Sequence, residues 1–350
     1  MNAAAGGRLA YLALVLLSVG GGILMSIQTR VNAGLAVEEA SGFYSAAWSF
    51  GSGFLVVAVV AMLLPRVRQG VVRFLREVAA RRLPWYLVAG GAIGAFFVFA
   101  QGIAAPVIGL ALFTVVGVAG QSLGAITLDR MGVIGMPRRD VTWPRLAGAV
   151  LVVVAVVIAS WPELGVAAAW WLIALPLVNG LLRGVQQAIN GQIRAEAGSA
   201  LASTFVNFAG GATVLVIAGL VAWAVTGRGP VAVSTPWLLV GGLLGLVHIF
   251  IQSFGVRRLG VLVLGLAMIA GQLAAAVVID LVAPLPGTTF TWLETLGAIL
   301  AFGATGIAAI PVRRGKPLQE GRSSADALPE PRIPSDPGGH ERSSAVRRQS

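Results

Sequence analysis

Long apolar runs dominate the first 311 residues, broken every twenty or so positions by proline, glycine and charge. A membrane-crossing helix needs ~20 predominantly apolar residues. On that basis the pattern predicts ten spans, at residues 9–33, 43–64, 84–103, 107–128, 145–161, 169–193, 201–224, 237–255, 260–281 and 291–311. The breaks hold Pro65, Pro84, Pro106, Pro137 with Pro144, Pro162, Pro230 with Pro236, and Pro284 with Pro286. Residues 65–83 read as a loop. After Pro311 the apolar pattern stops, and the Pro-, Ser- and Arg-rich stretch 312–350 reads as a disordered tail. The start, Arg8 followed by an apolar core, has the outline of a secretory leader. The run continues through Leu35, however, and recurs later in the chain, which predicts a retained first helix.

Polar residues interrupt these runs in a repeating way. Gln28 and Asn32 recur as Gln186 and Asn190, 158 residues later (186 − 28), and "SFGSG" at 49–53 lies over "NFAGG" at 207–211 at the same step. Pro84-Trp85 recurs as Pro236-Trp237. Gly94, Gln101, Gly109 and the "AGQ" at 119–121 recur as Gly245, Gln252, Gly260 and "AGQ" at 270–272. Asp129 falls on Asp280, and Trp143 and Gly148 fall on Trp292 and Gly297. A step that drifts so little across five spans indicates a duplicated five-helix unit. The expected organisation is a first repeat over 1–164, a second over 165–311, and the tail.

An odd number of spans per unit inverts the second copy, and charge agrees. With the N-terminus cytoplasmic, all but three of the 25 basic residues fall on the cytoplasmic side. The exceptions are Arg228 in an outside loop and Arg30 and Arg183 within spans, while Glu38, Glu39 and Glu163 lie outside. The +11 net charge is thereby read as a topology signal, and nucleic acid is not called for as a partner. Composition fits the same class: 57% hydrophobic, 11% charged and 46 glycines, where soluble domains carry roughly 25% charged residues. Without cysteine there is no disulfide, thiolate metal site or cysteine nucleophile.

The fold class read from this pattern is an all-α integral membrane protein, ten transmembrane helices in a 5+5 inverted-topology repeat. Such repeats are the architecture of secondary transporters, with the site near the bilayer midplane. Two five-helix halves, each opening with Gln-x-x-x-Asn (Gln28/Asn32, Gln186/Asn190) and continuing into a Ser49-Phe50-Gly51-like second helix, resemble the drug/metabolite transporter superfamily, in its YdcZ-like branch with the EamA-like fold. The second half departs at Asn207-Phe208-Ala209. The resemblance covers residues ~8–311. It implies helices 1–4 and 6–9 around a central cavity with helices 5 and 10 peripheral, and it supplies no substrate.

The candidate chemistry follows from polar groups that need partners inside a membrane. At ~100° per residue, Gln28 and Asn32 share a helix face, as do Arg183, Gln186 and Asn190, with Gln187 extending the strip. Gln101/Gln252 and Gln121/Gln272 recur in both halves. These ten residues are candidates to line a solute cavity; interhelical hydrogen bonding is the alternative role for the amides, and pairing with a carboxylate or backbone carbonyls the alternative for Arg183. Arg30 is expected to snorkel to the outer interface. His248, Asp129 and Asp280 are candidates for proton coupling. Against that role, a lone histidine can be a packing residue, and aspartates at span ends can be interface anchors. The lone lysine, Lys316, lies outside the helices and no Walker pattern occurs, which argues against ATP-driven pumping. No cofactor and no metal is called for. The expected function is a secondary transporter, an exporter or exchanger of a small polar metabolite or drug-like solute in the cytoplasmic (inner) membrane with both termini cytoplasmic. A membrane-embedded scaffold or lipid-acting enzyme is the alternative. The partners are the solute and the lipid bilayer, with a homodimer left open.

Overall fold

The computed structural model describes residues 2–131, 142–161 and 169–310, apart from the side chains of residues 2–8, of Asp129 and of some residues between 253 and 262. The tail at 312–350 and the turns holding Pro137, Pro162 and Glu163 fall outside the described residues. The described chain is helical: α1 (Asn2–Glu38), α2 (Gly42–Leu63), α3 (Pro65–Ala79), α4 (Gly90–Ile108), α5 (Leu110–Met131), α6 (Trp143–Ala159), α7 (Ala169–Ala197), α8 (Ala200–Thr226), α9 (Gly241–Val282) and α10 (Trp292–Ala308). Residues up to Pro311 form one compact unit. Seven described helical stretches are long and apolar enough to cross a bilayer. Three apolar helices, at Trp143–Ala159, Pro236–Gln252 and Trp292–Ala308, are shorter. At ~1.5 Å per residue their 17 residues rise ~26 Å, just under a ~30 Å hydrocarbon core.

Three features differ from the pattern read along the chain. Residues 65–79 are a helix and not a loop. Pro65 takes the first-turn position, where its missing N–H is no loss, and Val67, Gly70, Val71 and Phe74 are buried at i, i+3, i+4 and i+7. That face packs on Ile193 and Ala197 of α7 and Ala202 of α8, while Arg66, Arg68 and Arg76 point to the surface. Pro106 lies inside α4 instead of in the break; the turn falls at Gly109, whose φ of 76° suits glycine. Finally, the spans expected at 237–255 and 260–281 follow one another within α9 without a loop of extended residues between them. α9 cannot be straight. Ile251 and Met268 both come within about 3 Å of the space a Cβ on Gly21 would fill (3.0 and 3.1 Å), yet 17 residues of straight helix would hold them ~25 Å apart. The chain therefore doubles back after Gln252, and both arms of α9 run along α1.

Close approaches recur at the step seen in the sequence. Gly22 of α1 meets the backbone of Met268 and Gln272, and Gly180 of α7 meets that of Gly117 and Gln121. Phe50 and Phe208 pack at a tilt of 36° with centroids 5.1 Å apart, each ring against the glycine of the other's helix, Gly211 and Gly53. The turns after α1 and α7 place Ala40 (φ 50°) and Gly198 (φ 67°) in the left-handed region, where Ala40 carries the strain of its Cβ. Ser41 and Ser199 then cap α2 and α8, accepting from the N–H of Tyr44 (3.4 Å) and Ala202 (3.3 Å). α6 and α10 pack on each other through Gly148 and Gly297, away from the centre of the bundle.

Candidate solute cavity

The amphipathic strip of α7 opens onto the middle of the bundle. Arg183, Gln187 and Asn190 meet Gln121 of α5, His248 and Gln252 of α9's first arm and Gln272 of its second, enclosing a cavity of about 450 Å³. Toward the end of the bundle that carries α3, the cavity reaches Gly191, Arg194 and Ala200. A narrower extension of about 100 Å³ runs past Gln28, Asn179, Gln186 and Asn207 to Phe50 and Phe208. Among the described residues, neither α6 nor α10 contributes to the lining, and no aspartate or glutamate lines either space.

The described lining is therefore cationic, through Arg194 toward the α3 end and through Arg183 in the middle of α7. The Arg183 guanidinium lies 5.4 Å from the centroid of the Phe97 ring, a cation–π contact. It has no ion-pair partner among the described residues. Asn190 is held from two sides: Ser203 Oγ donates to its backbone carbonyl (2.8 Å) and Asn207 Nδ2 donates to its Oδ1 (3.0 Å).

The matching group in the first half is closed. Ser45 Oγ donates to the Asn32 carbonyl (2.7 Å), Asn32 Nδ2 to Gln101 Oε1 (2.8 Å), and Gln101 Nε2 to Thr29 Oγ1 (2.8 Å). Asn32 and Gln101 are both 0% exposed. Of the ten predicted residues, Arg183, Gln187, Asn190, Gln121, Gln252 and Gln272 border the main cavity and Gln28 and Gln186 its extension, while Asn32 and Gln101 border neither. Those two join helices.

The proton-coupling candidates lie apart. His248 borders the cavity, and its Nδ1 is 2.9 Å from the Gly21 carbonyl. A carbonyl only accepts, so Nδ1 carries the proton and Nε2 of the neutral ring is an acceptor. Asp280 is buried at the end of α9, away from the cavity. It accepts the N–H of Ala111 (2.6 Å) in the first turn of α5, satisfying a donor that the helix leaves unpaired. The Asp129 side chain lies outside the described residues. Arg30 Nε donates to the Ala283 carbonyl (3.1 Å), beside Trp237.

The end of the bundle opposite α3 is bridged between α1 and α2 and the segment that follows α8. Glu38 accepts from Ser234 N–H and Oγ and from Thr235 N–H. Tyr44 donates to the Arg228 carbonyl (2.6 Å) and Trp48 to that of Leu239 (3.2 Å). The cavity is thus stopped at one end and reaches the other. Asn179, Ser203, Thr204 and Arg194 also line it, unpredicted. Asn179 and Thr204 are polar groups within a span, the signal already used for Gln28; Arg194 was counted only as a topology marker.

A family model described as "Putative inner membrane exporter, YdcZ" matches residues 13–158 and 171–307. The chain belongs to this family. The two matched stretches begin 158 residues apart (171 − 13) and end 149 apart (307 − 158), close to the steps at which the polar motifs recur. No curated protein matches the chain. Family and apolar helices together make it a multi-pass inner membrane protein, in the drug/metabolite transporter superfamily that the Gln-x-x-x-Asn pairs indicated.

Proposed function

We propose that the protein is a secondary transporter, an exporter or exchanger that moves a small polar solute through the central cavity by alternating access. The observation that carries this reading is a cationic, amide-lined cavity, shared by both halves, that is stopped at one end of the bundle and reaches the other. In this reading the chain has ten spans in two inverted five-helix repeats, 1–164 and 165–311, with both termini cytoplasmic. The recurring glycine contacts, the paired Phe50 and Phe208 and the matching serine caps support the repeat. α3 and Arg194 then lie at the cytoplasmic end, and the Glu38 and Tyr44 bridges close the outer end.

Arg183 sets the class of solute. A central arginine costs ~2.5–3.5 kcal/mol on insertion scales and is retained where it meets a partner or a wet cavity. A monovalent cation 4 Å away would meet ~4 kcal/mol of repulsion at an effective dielectric near 20. The cavity therefore favours solutes with a carboxylate or phosphate, or neutral polar ones, over cationic drugs. Glutamines add donors and acceptors without charge. Of the two proton-coupling candidates whose side chains are described, His248 and Asp280, His248 borders the path.

The test is solute flux in proteoliposomes. Arg183→Gln should insert normally and reduce transport of an anionic solute by at least about tenfold, the ~1.4 kcal/mol scale of one lost charge-assisted contact. Transport by the Gln variant at the native rate and affinity would move the solute path away from Arg183. Chemical conversion of the solute in place of flux would overturn the transporter reading itself.

A further inference from the structure

The polar cavity has a side wall whose residues also face a neighbouring space. Arg194, Ala200, Thr204 and Ile249 line it and also line a second void of about 650 Å³. This second void is an apolar slot between α2, the start of α8 and the first arm of α9. Val56 and Val60 form one wall, and Leu243, Val247, Phe250 and Phe254 the other. Val56 (42%), Val247 (38%) and Phe250 (63%) are exposed at its outer edge, on helices whose exposed apolar faces meet lipid. The slot thus runs from the lipid-facing surface to residues that also line the amide-lined cavity.

Among the described residues Arg194 is the only charged one lining the slot, and it also borders the polar cavity. It has no ion-pair partner among the described residues, and Arg183 follows deeper in. A hydrocarbon chain alone would make no use of two arginines, and a purely polar solute would make no use of an apolar slot. An anionic head on an apolar body uses both.

We propose that the slot binds single-chain anionic amphiphiles from the adjoining bilayer leaflet, the apolar body between α2 and α9 and the carboxylate or phosphate head at Arg194. For the onward step to Arg183 this rests on the transporter reading; for binding it does not.

Photo-crosslinking tests it. The full-length protein in phosphatidylcholine vesicles is labelled with diazirine-bearing palmitate, and in parallel with the matching alcohol, under alkaline conditions where the carboxylate is ionised. Adducts are mapped by mass spectrometry. Palmitate should label 56–60 and 243–254 at least about fivefold more than the alcohol does, equivalent to ~1 kcal/mol. Arg194→Gln should erase that preference, and Val247→Trp, filling the slot at a lipid-exposed position, should lower both adducts. Equal labelling by the alcohol would make the slot an ordinary lipid-coated wall, and cross-links between two copies at Phe250 would mean that a second copy covers it. Either overturns the proposal. Palmitate capture without flux of any solute would sink the transporter reading and leave the slot standing; flux of a water-soluble anion without capture would do the reverse.

Discussion

Glu39 is a carboxyl left in an unfavourable place. It is 8% exposed, its Oε2 has no hydrogen-bond partner, and it lies just past the first span, next to that span's last residue, Glu38. Desolvation first, and then the Glu38 charge, raise its pKa to about 7 from 4.5. A carboxyl whose folded pKa exceeds its unfolded value holds its proton more tightly when folded. Its stabilising effect is complete below about pH 4.5 and is lost as pH rises through about 7. Thermal unfolding followed by tryptophan fluorescence should therefore show a midpoint that falls across that window, with a shallower fall in Glu39→Gln. An unchanged slope in the variant would assign the titration to another group. The same lesson about surroundings applies to the amides. Asn32 and Asn190 are equivalent in sequence, yet Asn32 is sealed against Gln101 and Asn190 faces the cavity. The chain marks both as polar groups in need of partners and does not mark which partner each will find.

At the scale of helices, small residues set how near two backbones can come. Gly20 and Gly22 lie in one run of three glycines, and their surroundings differ. Nothing lies within 4 Å of a Cβ on Gly20, whereas one on Gly22 would strike the Met268 carbonyl of α9. Backbone cannot swing aside as a side-chain end can. Gly22→Ala should destabilise by ~1–3 kcal/mol, while Gly20→Ala should be neutral or slightly stabilising through its better helix propensity. Unfolding midpoints of the two variants check this; equal effects would remove α1–α9 packing as the cause. Helix existence was legible from apolar length, but helix ends and breaks were less so. α3 was hidden because its four buried residues alternate with arginines, so a search for long apolar runs passes over it. Its i, i+3, i+4, i+7 spacing was the available signal. Pro106 misled in the opposite direction: a proline in the last turn of a helix need not end it, since few hydrogen bonds follow.

At the scale of the whole molecule, the proposed orientation makes a sharp prediction. The native chain has no cysteine, so single cysteines report accessibility cleanly. Val231 and Gln69 are both exposed, one at the bridged end of the bundle and one on α3. In intact cells an impermeant maleimide should label Val231→Cys and spare Gln69→Cys, with Gln69→Cys labelled only after the membrane is permeabilised. The reverse pattern would invert the assignment of the cavity's open end to the cytoplasm.

Much of this architecture is written along the chain because a bilayer imposes local rules. It fixes the length of an apolar run, penalises every unpaired polar group within it, and sorts arginine to one side. Length, charge and the recurrence of Gln-x-x-x-Asn were therefore readable residue by residue, and with them the helical class, the family and the α7 strip. Tertiary structure decided what the two halves do differently. Their polar motifs are alike, but one conformation cannot hold both alike when a single cavity is stopped at one end and reaches the other. The fate of Asn32 against Asn190, the doubling back of α9 after Gln252, and the meeting of cavity and slot at Arg194 all depend on contacts between residues far apart in sequence. No local pattern records those contacts, because each is set by what the opposite helix presents.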